Sequence, residues 1–340
     1  MLAPSVLTGA RPFTNGNDPV NDSELATMAD DMAQVDAVIQ RRLHSDVALI
    51  QQISHYIVGA GGKRLRPMLV LLFSQALGFK GPERWELAAA VEFIHTATLL
   101  HDDVVDESSL RRGRATANAQ FGNAASVLVG DFLYSRAFQM MVSVNNLRVL
   151  DVLADATNVI AEGEVLQLMN MHDADLAIED YLQVIRFKTA KLFEASARLG
   201  AVLGAASLAV EDECAHFGRC LGTAFQLVDD LLDYEGATEQ LGKNVGDDLR
   251  EGKATLPLLL AMSKGSPSET ALIRYAIEHG EVARLADVVD IVRRTGAIEG
   301  TRAAARAQAA EAQACLQVLQ PSLARDLLIK FCAGAVERST

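Results

Sequence analysis

The chain carries the same acidic pattern twice, in two apolar segments that decide its fold and its chemistry: LLHDDVVDES at residues 99–108 and FQLVDDLLDY at residues 225–234. In each segment the aspartates follow the spacing DDxxD, so the first and the last lie on one helix face, about 6 Å apart at Cβ. Like charges at that distance destabilise a helix unless a cation neutralises them. Hard oxygen ligands without a paired thiol or imidazole favour Mg²⁺. The sequence therefore predicts a magnesium site built from Asp102, Asp103, Asp106, Asp229, Asp230 and Asp233.

A solvent-exposed acidic helix face is the alternative explanation of these motifs. It fits poorly because apolar residues surround both motifs, whereas an exposed face would normally carry Lys or Glu as well. Leu100, Val104 and Val105 flank or interrupt the first motif. Val228 and Leu231 do the same in the second. We therefore favour the metal-binding interpretation.

The composition is that of an acidic globular protein. The chain has 340 residues, of which 50% are hydrophobic, and this is enough for a large buried core. The formal net charge is −13 and the pI is about 5.0, which argues against nucleic acid as the main partner. Two acidic clusters in an acidic protein would also repel a phosphorylated substrate unless a metal bridged them.

The cysteines and the hydropathy pattern predict a cytoplasmic protein without a transmembrane segment. No CxxC pair or zinc-type spacing occurs among the four cysteines, which we expect to be buried thiols in a reducing compartment: Cys214, Cys220, Cys315 and Cys332. The first residues lack a charged region followed by an apolar one, as a secretory signal would require. No apolar run reaches the ~20 residues that span a bilayer.

The sequence predicts one all-α domain after a short arm. Pro4, Pro12 and Pro19 fall near the start of the chain, and we expect residues 1–24 to form a flexible N-terminal arm. Over residues 25–340, Ala, Leu, Gln, Glu and Arg dominate, and alternating β-branched runs are few. The breaks between apolar segments are short, and no linker divides them. This pattern predicts one bundle of roughly ten or more helices.

Basic residues cluster in two loops that could hold phosphate. The loop GGKRLRP at residues 61–67 precedes a helix, and its glycines, the helix N-terminus and the charges of Lys63 and Arg66 all favour an anion. It is not a Walker A loop, and a basic surface turn is the alternative. The tandem pair Arg111-Arg112 follows the first acidic motif, where it could form an ion pair or donate to an anion.

Other polar residues give weaker signals. Lys188-Thr189 lies in a helical segment. Lys243 and Lys253 flank an Asp-Asp pair, but an exposed lysine is usually only solvated. His95 lies two helical turns before the first acidic motif, although a lone histidine on an apolar helix is more often a core residue. No GxSxG, HExxH or Cys/His pairing is present, so the chemistry should depend on metal and electrostatics rather than on a covalent intermediate.

Together, these motifs resemble those of the all-trans prenyl diphosphate synthases. The resemblance rests on both DDxxD motifs, GGKRLRP, the tandem arginines, the Lys-Thr pair and FQxxDDxxD followed by GKNxGDD. It extends from about residue 35 to the end of the chain, and no motif position departs from the pattern. Longer stretches such as GTAFQLVDDLLDY and LGKNVGDDL are similar to those of the bacterial branch that makes octaprenyl diphosphate for quinone side chains.

The resemblance implies a role for each motif residue. The aspartates of both motifs would hold Mg²⁺ on the diphosphate of the allylic substrate. The diphosphate of isopentenyl diphosphate would be held by Lys63, Arg66, His95 and Arg112. The allylic diphosphate would be held by Arg111, Lys188, Lys243 and Lys253. Thr189 and Gln226 would face the allylic cation through their hydroxyl and amide dipoles. The resemblance also implies an all-α fold and a homodimer, which the family forms.

The implied reaction is the condensation of isopentenyl diphosphate onto an allylic diphosphate such as farnesyl diphosphate. Three alternatives remain open. A terpene cyclase of the same fold would not need the second set of basic residues. A non-catalytic, regulatory subunit of a heteromeric synthase would be expected to lose aspartates. A metal-binding interaction module would leave the basic loops unexplained.

The product length should depend on the residues just before the first acidic motif. The growing chain must extend away from the metals, and Ala97 and Thr98 are small where short-chain relatives often carry bulky aromatic residues. We therefore expect an open tunnel and an octaprenyl product, with nonaprenyl and decaprenyl as alternatives. Large side chains deeper in the bundle could close the tunnel, and the candidates are Phe132, Phe138, Met140 and Met141. For each of them, a place in the hydrophobic core is the simpler explanation.

Overall fold

A computed structural model of the chain describes residues 22–58, 62–111, 113–235 and 246–338. Helices form nearly all of the regular secondary structure in these ranges. The predicted all-α class is confirmed. The first half contains α1 (Asp22–Arg42), α2 (Ala48–Val58), α3 (Leu65–Ala76), α4 (Glu83–Val105), β1 (Leu110–Arg111), β2 (Arg114–Ala115), α5 (Ala117–Phe121), α6 (Asn123–Ser143) and α7 (Leu147–Asn170). The second half contains α8 (Ile178–Ile185), a π-helical turn (Arg186–Ala190), α9 (Lys191–Leu203), α10 (Leu208–Glu235), α11 (Asp247–Arg250), α12 (Leu256–Lys264), α13 (Pro267–His279), α14 (Leu285–Arg294), α15 (Ala297–Cys315), a 3₁₀ turn (Leu316–Val318) and α16 (Leu323–Val336).

The first helix begins inside the segment predicted as an arm. Helix α1 starts at Asp22, and residues 1–21 lie outside the described part of the chain. The division into an arm over residues 1–24 and a domain over residues 25–340 therefore stays a prediction.

Helix α10 runs through both hydrophobic cores of the bundle. Its first half joins the larger core, in which Phe217 is fully buried and lies edge-on to Phe73 of α3, with ring centroids 5.1 Å apart. Its second half joins the smaller core, where Val228 packs with buried residues of α12 to α14. Each fully buried side chain of this size stabilises the fold by roughly 1.5–3 kcal/mol. The acidic motif in the last turns of α10 is therefore held by a rigid, well-packed helix.

Two glycines let neighbouring helices approach the π-helical turn. A Cβ added at Gly222 of α10 would lie 2.6 Å from Cα of Ala190, and one added at Gly163 of α7 would lie 2.7 Å from the backbone nitrogen of Lys188. Atoms are not found that close together, so only glycine fits at either position. The turn carries Lys188 and Thr189, and π-helical turns occur frequently at functional sites.

A short β-hairpin follows α4, which the sequence analysis did not predict. Strands β1 and β2 pair antiparallel, with Leu110 opposite Ala115 and Arg111 opposite Arg114. Gly113 provides the turn with a φ of 72°, which a residue with a Cβ rarely adopts. The hairpin directs Arg111 back towards the C-terminal end of α4.

The cysteines behave as predicted. All four are buried and free. Burial raises the pKa of each thiol, for example to about 12 for Cys214. Within the described ranges, no helix combines the length and the apolar composition needed to cross a membrane.

Candidate active site

The two acidic motifs lie at the C-terminal ends of two long helices. Asp102 and Asp103 are in the last turn of α4, and Asp106 caps that helix. The second motif occupies the last two turns of α10 and comprises Asp229, Asp230 and Asp233. Carboxylates at a helix C-terminus face the negative end of the helix dipole. Both motifs therefore lie where a cation is favoured.

The π-helical turn connects the two motifs. Nζ of Lys188 lies 3.6 Å from Oδ2 of Asp102. The next residue, Thr189, donates a hydrogen bond to Oε1 of Gln226 at 2.9 Å. Gln226 donates in turn from Nε2 to Oδ1 of Asp230 at 2.7 Å. Lys188 thus contacts the first motif directly, and Thr189 reaches the second through Gln226, so the motifs are neighbours in space although they are distant in sequence.

Lys253 makes a second connection. Its Nζ lies 3.2 Å from Oδ2 of Asp106, and it also pairs with Glu251. Its backbone N–H donates to the carbonyl of Asp248 at 2.8 Å. The backbone N–H of Asp248 donates to Oδ2 of Asp233 at 3.2 Å. Lys253 therefore contacts the first motif directly and is linked to the second motif through Asp248.

Asp103 is held differently from the other aspartates of its motif. Its side chain is fully buried, and its Oδ1 accepts hydrogen bonds from Nε and Nη2 of Arg111 at 2.8 and 2.7 Å. Its backbone carbonyl accepts from Nδ2 of Asn118 at 2.9 Å. Burial raises the pKa of Asp103, and the Arg111 guanidinium opposes that rise. Asp103 and Arg111 thus fasten the hairpin to the end of α4.

Glu164 is a site residue that the sequence analysis did not identify. It extends from α7, and its Oε2 lies 2.6 Å from Nζ of Lys188. Burial raises the pKa of Glu164 to about 7; Lys188 lowers it, and the nearby Asp102 and Asp106 raise it further. A single glutamate in an amphipathic helix has no distinguishing pattern, so only the fold could bring it to notice.

Asp230 is buried within a hydrogen-bond network. Its Oδ2 accepts from the hydroxyl of Tyr181 at 2.5 Å, and its Oδ1 accepts from Gln226. Burial and the charge of Asp248 raise its pKa to about 7, while these hydrogen bonds lower it. Tyr181 was also missed by the sequence analysis, because nothing in its surroundings on α8 indicates a partner on α10.

Asp233 and Asp229 have different surroundings. Asp233 accepts backbone hydrogen bonds from Gly246 and Asp248 at 3.2 Å each, at the start of α11. Asp229 is more exposed, and Nη2 of Arg338 lies 3.6 Å from its Oδ1. Nε and Nη1 of Arg338 are buried and have no hydrogen-bond partner among the described residues. Buried donors of this kind are costly, and an incoming anion would satisfy them.

An aromatic pair joins Arg338 to the basic loop. The Arg338 guanidinium lies 4.1 Å from the centroid of the Phe225 ring. That of Arg66 lies 4.4 Å from the centroid of the Phe193 ring. The two rings are 5.6 Å apart. Two arginines therefore flank one aromatic pair beside the second acidic motif, and Arg338 has no sequence motif that would reveal it.

The remaining predicted anion-binding residues have varied positions. Lys63 is exposed at the start of α3. His95 is half-buried, and its backbone carbonyl accepts a hydrogen bond from Thr98 at 2.8 Å. Arg112 and Lys243 lie outside the described residues, and their predicted roles stay predictions.

The residues predicted to set the chain length differ in burial, and Thr98 and Phe132 are half-buried. Ala97 is fully buried in α4. Met140 and Met141 are fully buried in α6, whereas Phe138 is 41% exposed. Because the Phe138 side chain lies largely at the surface of the single chain, its role in closing a tunnel stays a prediction.

The donor atoms of this region suit a magnesium ion. Both motifs offer carboxylate oxygens, which are the hard donors that Mg²⁺ prefers. The ammonium groups of Lys188 and Lys253 lie 3.6 and 3.2 Å from Asp102 and Asp106, so both carboxylates already have a cationic group beside them. Asp102 and Asp106 also raise the pKa of Glu164, which indicates excess negative charge.

Comparison with known proteins identifies the family. The family model described as Polyprenyl synthetase matches residues 47–292. Octaprenyl diphosphate synthase from Escherichia coli (strain K12) is 56% identical over 311 residues, which cover 91% of this chain and 96% of that protein. The enzyme of the same name from Haemophilus influenzae is 49% identical over 324 residues, with coverage of 95% and 98%.

Solved structures agree with this assignment. A polyprenyl synthase from Caulobacter crescentus CB15, complexed with calcium and isoprenyl diphosphate, has a TM-score of 0.90 and 46% identity, covering 93% of this chain and 97% of that one. A decaprenyl diphosphate synthase from Rhodobacter capsulatus has a TM-score of 0.88 and 44% identity, with coverage of 94% and 99%. The chain therefore belongs to the polyprenyl synthetase family. It is accordingly a prenyl-transferring enzyme, and the terpene cyclase and regulatory-subunit alternatives are not favoured.

Proposed function

We propose that the protein elongates an allylic diphosphate with isopentenyl diphosphate units to make octaprenyl diphosphate. The observation that carries this proposal is the pair of acidic motifs joined through the π-helical turn, with Lys188 3.6 Å from Asp102 and Thr189 bonded to Gln226. Two octaprenyl diphosphate synthases with 56% and 49% identity support the product. We further propose farnesyl diphosphate as the primer and quinone side chains as the destination, both of which rest on the motif resemblance alone.

Three of the six predicted ligands would contact Mg²⁺ directly. Asp102, Asp106 and Asp229 face charged partners on side chains that an ion and its substrate could displace. The remaining aspartates of the motifs are engaged in the protein and would orient these three from behind. When bound, Mg²⁺ would neutralise charge on the departing diphosphate. The Caulobacter relative with bound calcium supports a divalent ion here.

The lysines of the site would hold the allylic diphosphate. Lys188 and Lys253 both contact carboxylates of the first motif, so a diphosphate bridged to that motif would lie beside their ammonium groups. Arg111 and Lys243 complete the predicted set. Arg111 pairs with Asp103 at 2.7 Å. It would therefore assist binding of the allylic diphosphate indirectly, by fixing the hairpin in place.

The reaction itself needs little from protein acids and bases. The allylic C–O bond breaks, and diphosphate leaves with the electron pair. The double bond of isopentenyl diphosphate then forms the new C–C bond, and the proton lost from the product passes to the diphosphate. Thr189 and Gln226, fixed by their hydrogen bond of 2.9 Å, would present oxygen lone pairs to the allylic cation. The apolar helix walls would exclude water from it.

The arginines beside the aromatic pair would hold isopentenyl diphosphate. Arg66 and Arg338 lie over the rings of Phe193 and Phe225. Nε and Nη1 of Arg338, which are buried and unsatisfied among the described residues, could donate to an anion there. Lys63, His95 and Arg112 are the other predicted members of this pocket. Arg338 is an addition to the predicted set, supported by its unsatisfied buried donors.

An exposed apolar face on α6 and α7 supports a homodimer. Its residues are Val127, Leu128, Phe138, Val142, Leu147, Val165, Leu168 and Met169, each 37% exposed or more. Isolated apolar side chains are common on surfaces, but eight exposed ones on two successive helices favour an interface. We propose a second copy as the partner, since α6 and α7 contact each other and both carry exposed apolar side chains. Glu164, which pairs with Lys188 in the candidate active site, is adjacent to Val165 on α7. Contact with a second copy at this face would therefore also help to hold Glu164 in place.

A direct experiment tests the proposed function. Purified protein alone, supplied with farnesyl diphosphate, isopentenyl diphosphate and Mg²⁺, should make octaprenyl diphosphate, and chromatography of the dephosphorylated product would identify it. A regulatory subunit would give no turnover without a partner, and a cyclase would release hydrocarbon without isopentenyl diphosphate. We also propose a cytoplasmic location, which the four buried free cysteines favour.

A further inference from the structure

A cluster of possible metal ligands lies outside the acidic site, on the packed faces of α10 and α15. His216 and Cys220 are four residues apart on α10 and therefore share a helix face. Glu311 is opposite them on α15, and its Oε1 lies 2.9 Å from Nε2 of His216. One donor atom from each of these three side chains lies within 4.8 Å of the other two. Three donors of different chemistry thus converge on one point.

The cluster opens into a cleft. The cleft has a volume of about 390 Å³, and its lining residues are Arg186, His216, Arg219, Cys220, Gln308 and Glu311. The Cys220 side chain is buried at 3% exposure, whereas Glu311 is exposed and His216 half-buried. An ion could therefore enter from solvent along the imidazole and carboxylate and reach the sulfur behind them.

The donor set discriminates between kinds of metal. A thiolate, an imidazole and a carboxylate suit zinc and related transition ions, whereas Mg²⁺ and Ca²⁺ prefer oxygen alone. A thiolate and a carboxylate also supply the two negative charges that balance a divalent ion. Ligand atoms around zinc lie about 3.3–3.8 Å apart at its usual bond lengths, so rotamer adjustments of about 1 Å would suffice.

We propose that His216, Cys220 and Glu311 form a binding site for one zinc-class transition-metal ion, separate from the aspartate site. The fourth ligand is a water molecule or an anion from the cleft, next to Arg186 and Arg219. The ion joins α10 to α15 and stabilises the pair of helices whose other end carries the second acidic motif. Sequence spacing did not reveal this site because Glu311 comes from a helix that is distant in the chain from His216 and Cys220.

The surroundings of the Cys220 thiol favour its protonated form before metal binding. Burial raises the pKa of Cys220 to about 12, and Glu311 and Cys315 raise it too, while Arg219 and Arg186 lower it. The thiol is therefore protonated at neutral pH, and the metal must displace its proton. A protonated buried thiol is also slow to oxidise, which keeps the ligand intact.

Cobalt provides a probe that the aspartate site cannot mimic. Full-length protein in saturating Mg²⁺ is titrated with Co²⁺, and thiolate-to-cobalt charge-transfer absorption is recorded. We expect this absorption to saturate at one equivalent and to be abolished by excess Zn²⁺. It should disappear in Cys220→Ala and need about tenfold more Co²⁺ or more in His216→Gln, since each variant removes one ligand.

Matched variants separate this site from others. Cys332→Ala removes another buried thiol, on α16, and should keep the absorption. Asp102→Ala should keep it too, because the acidic site contains no sulfur. If Cys220→Ala fails to fold, Cys220→Ser replaces it with a side chain of similar size. Prenyl transfer by the Cys220 variants in Mg²⁺ should match the wild type and thus serves as the check on folding.

Two results would overturn the proposal. One is the absence of charge-transfer absorption in the wild-type protein. The other is its persistence in the folded Cys220 variant. Persistence there with loss in Cys315→Ala would assign the metal to the neighbouring set of Glu213, His216 and Cys315, whose donor atoms also lie within 4.8 Å of one another, and would reject the ligands proposed here.

Discussion

Replacing Tyr181 by Phe removes one hydrogen bond from the acidic site and leaves the side-chain volume almost unchanged. The Tyr181 hydroxyl donates to Oδ2 of Asp230 at 2.5 Å, and both side chains are buried. Without it, that oxygen lacks its donor in a place that water does not reach. Leaving a buried acceptor unsatisfied costs about 1–3 kcal/mol, so we expect the free energy of unfolding to fall by about 2 kcal/mol.

The same change should weaken metal binding more than substrate binding. Asp230 is adjacent to Asp229, and its carboxylate is held between Tyr181 and Gln226. Groups that orient metal ligands usually contribute ten- to a hundredfold to metal affinity. We therefore expect the Mg²⁺ concentration for half-maximal rate to rise by about tenfold or more, while the KM values for both substrates change little.

Initial rates measured against Mg²⁺, together with urea unfolding, test this prediction. Tyr275→Phe is the control, because Tyr275 is also a helical tyrosine but is 53% exposed on α13. If Tyr181→Phe gave the same Mg²⁺ dependence as the control, Tyr181 would not position the metal site. If its unfolding midpoint were also unchanged, the hydrogen bond to Asp230 would contribute nothing measurable.

Three further predictions concern substrates, product and assembly. Arg66→Ala should raise the KM for isopentenyl diphosphate more than that for the allylic primer, while Lys188→Ala should do the opposite and also lower kcat; equal effects in steady-state kinetics would indicate a single shared anion site. Ala97→Tyr adds a ring at a fully buried position, where it would narrow the expected tunnel, and should shorten the product to about three or four isoprene units without loss of the first condensation, as chromatography would reveal. A product of normal length made at the normal rate would contradict the tunnel assignment. Leu168→Asp places a charge in the proposed dimer face and should give monomers in analytical ultracentrifugation, whereas Leu208→Asp, at a still more exposed position on α10, should not. A dimer in both variants would assign the interface elsewhere.

The sequence could predict the fold class and the proximity of the acidic motifs for a definite reason. Helical spacing places Asp102 and Asp106 on one face, and two such clusters in an acidic protein need a shared cation. That inference requires only local geometry and charge. The comparisons confirmed the family that these motifs resemble.

The rest depends on contacts between residues that are remote in sequence. Glu164, Tyr181 and Arg338 approach the aspartates from α7, α8 and the end of the chain, and each has an ordinary local context. The sequence also could not reveal that Arg111 is paired with Asp103, because an arginine near a carboxylate can equally serve an anion. Only the packing of the helices decides between those roles.

In the proposed reaction, both acidic motifs would act together on one metal-bound diphosphate. The most direct test is the Mg²⁺-dependent turnover of Asp102→Ala and Asp229→Ala, with Asp212→Ala, an exposed aspartate on α10, as the control. Chelator should abolish wild-type activity and Mg²⁺ should restore it. Each active-site variant should lose about 10²–10³ in rate, equivalent to about 3–4 kcal/mol, and the control should lose none. Wild-type turnover by either active-site variant, in protein whose circular dichroism and unfolding midpoint match the control, would contradict the account.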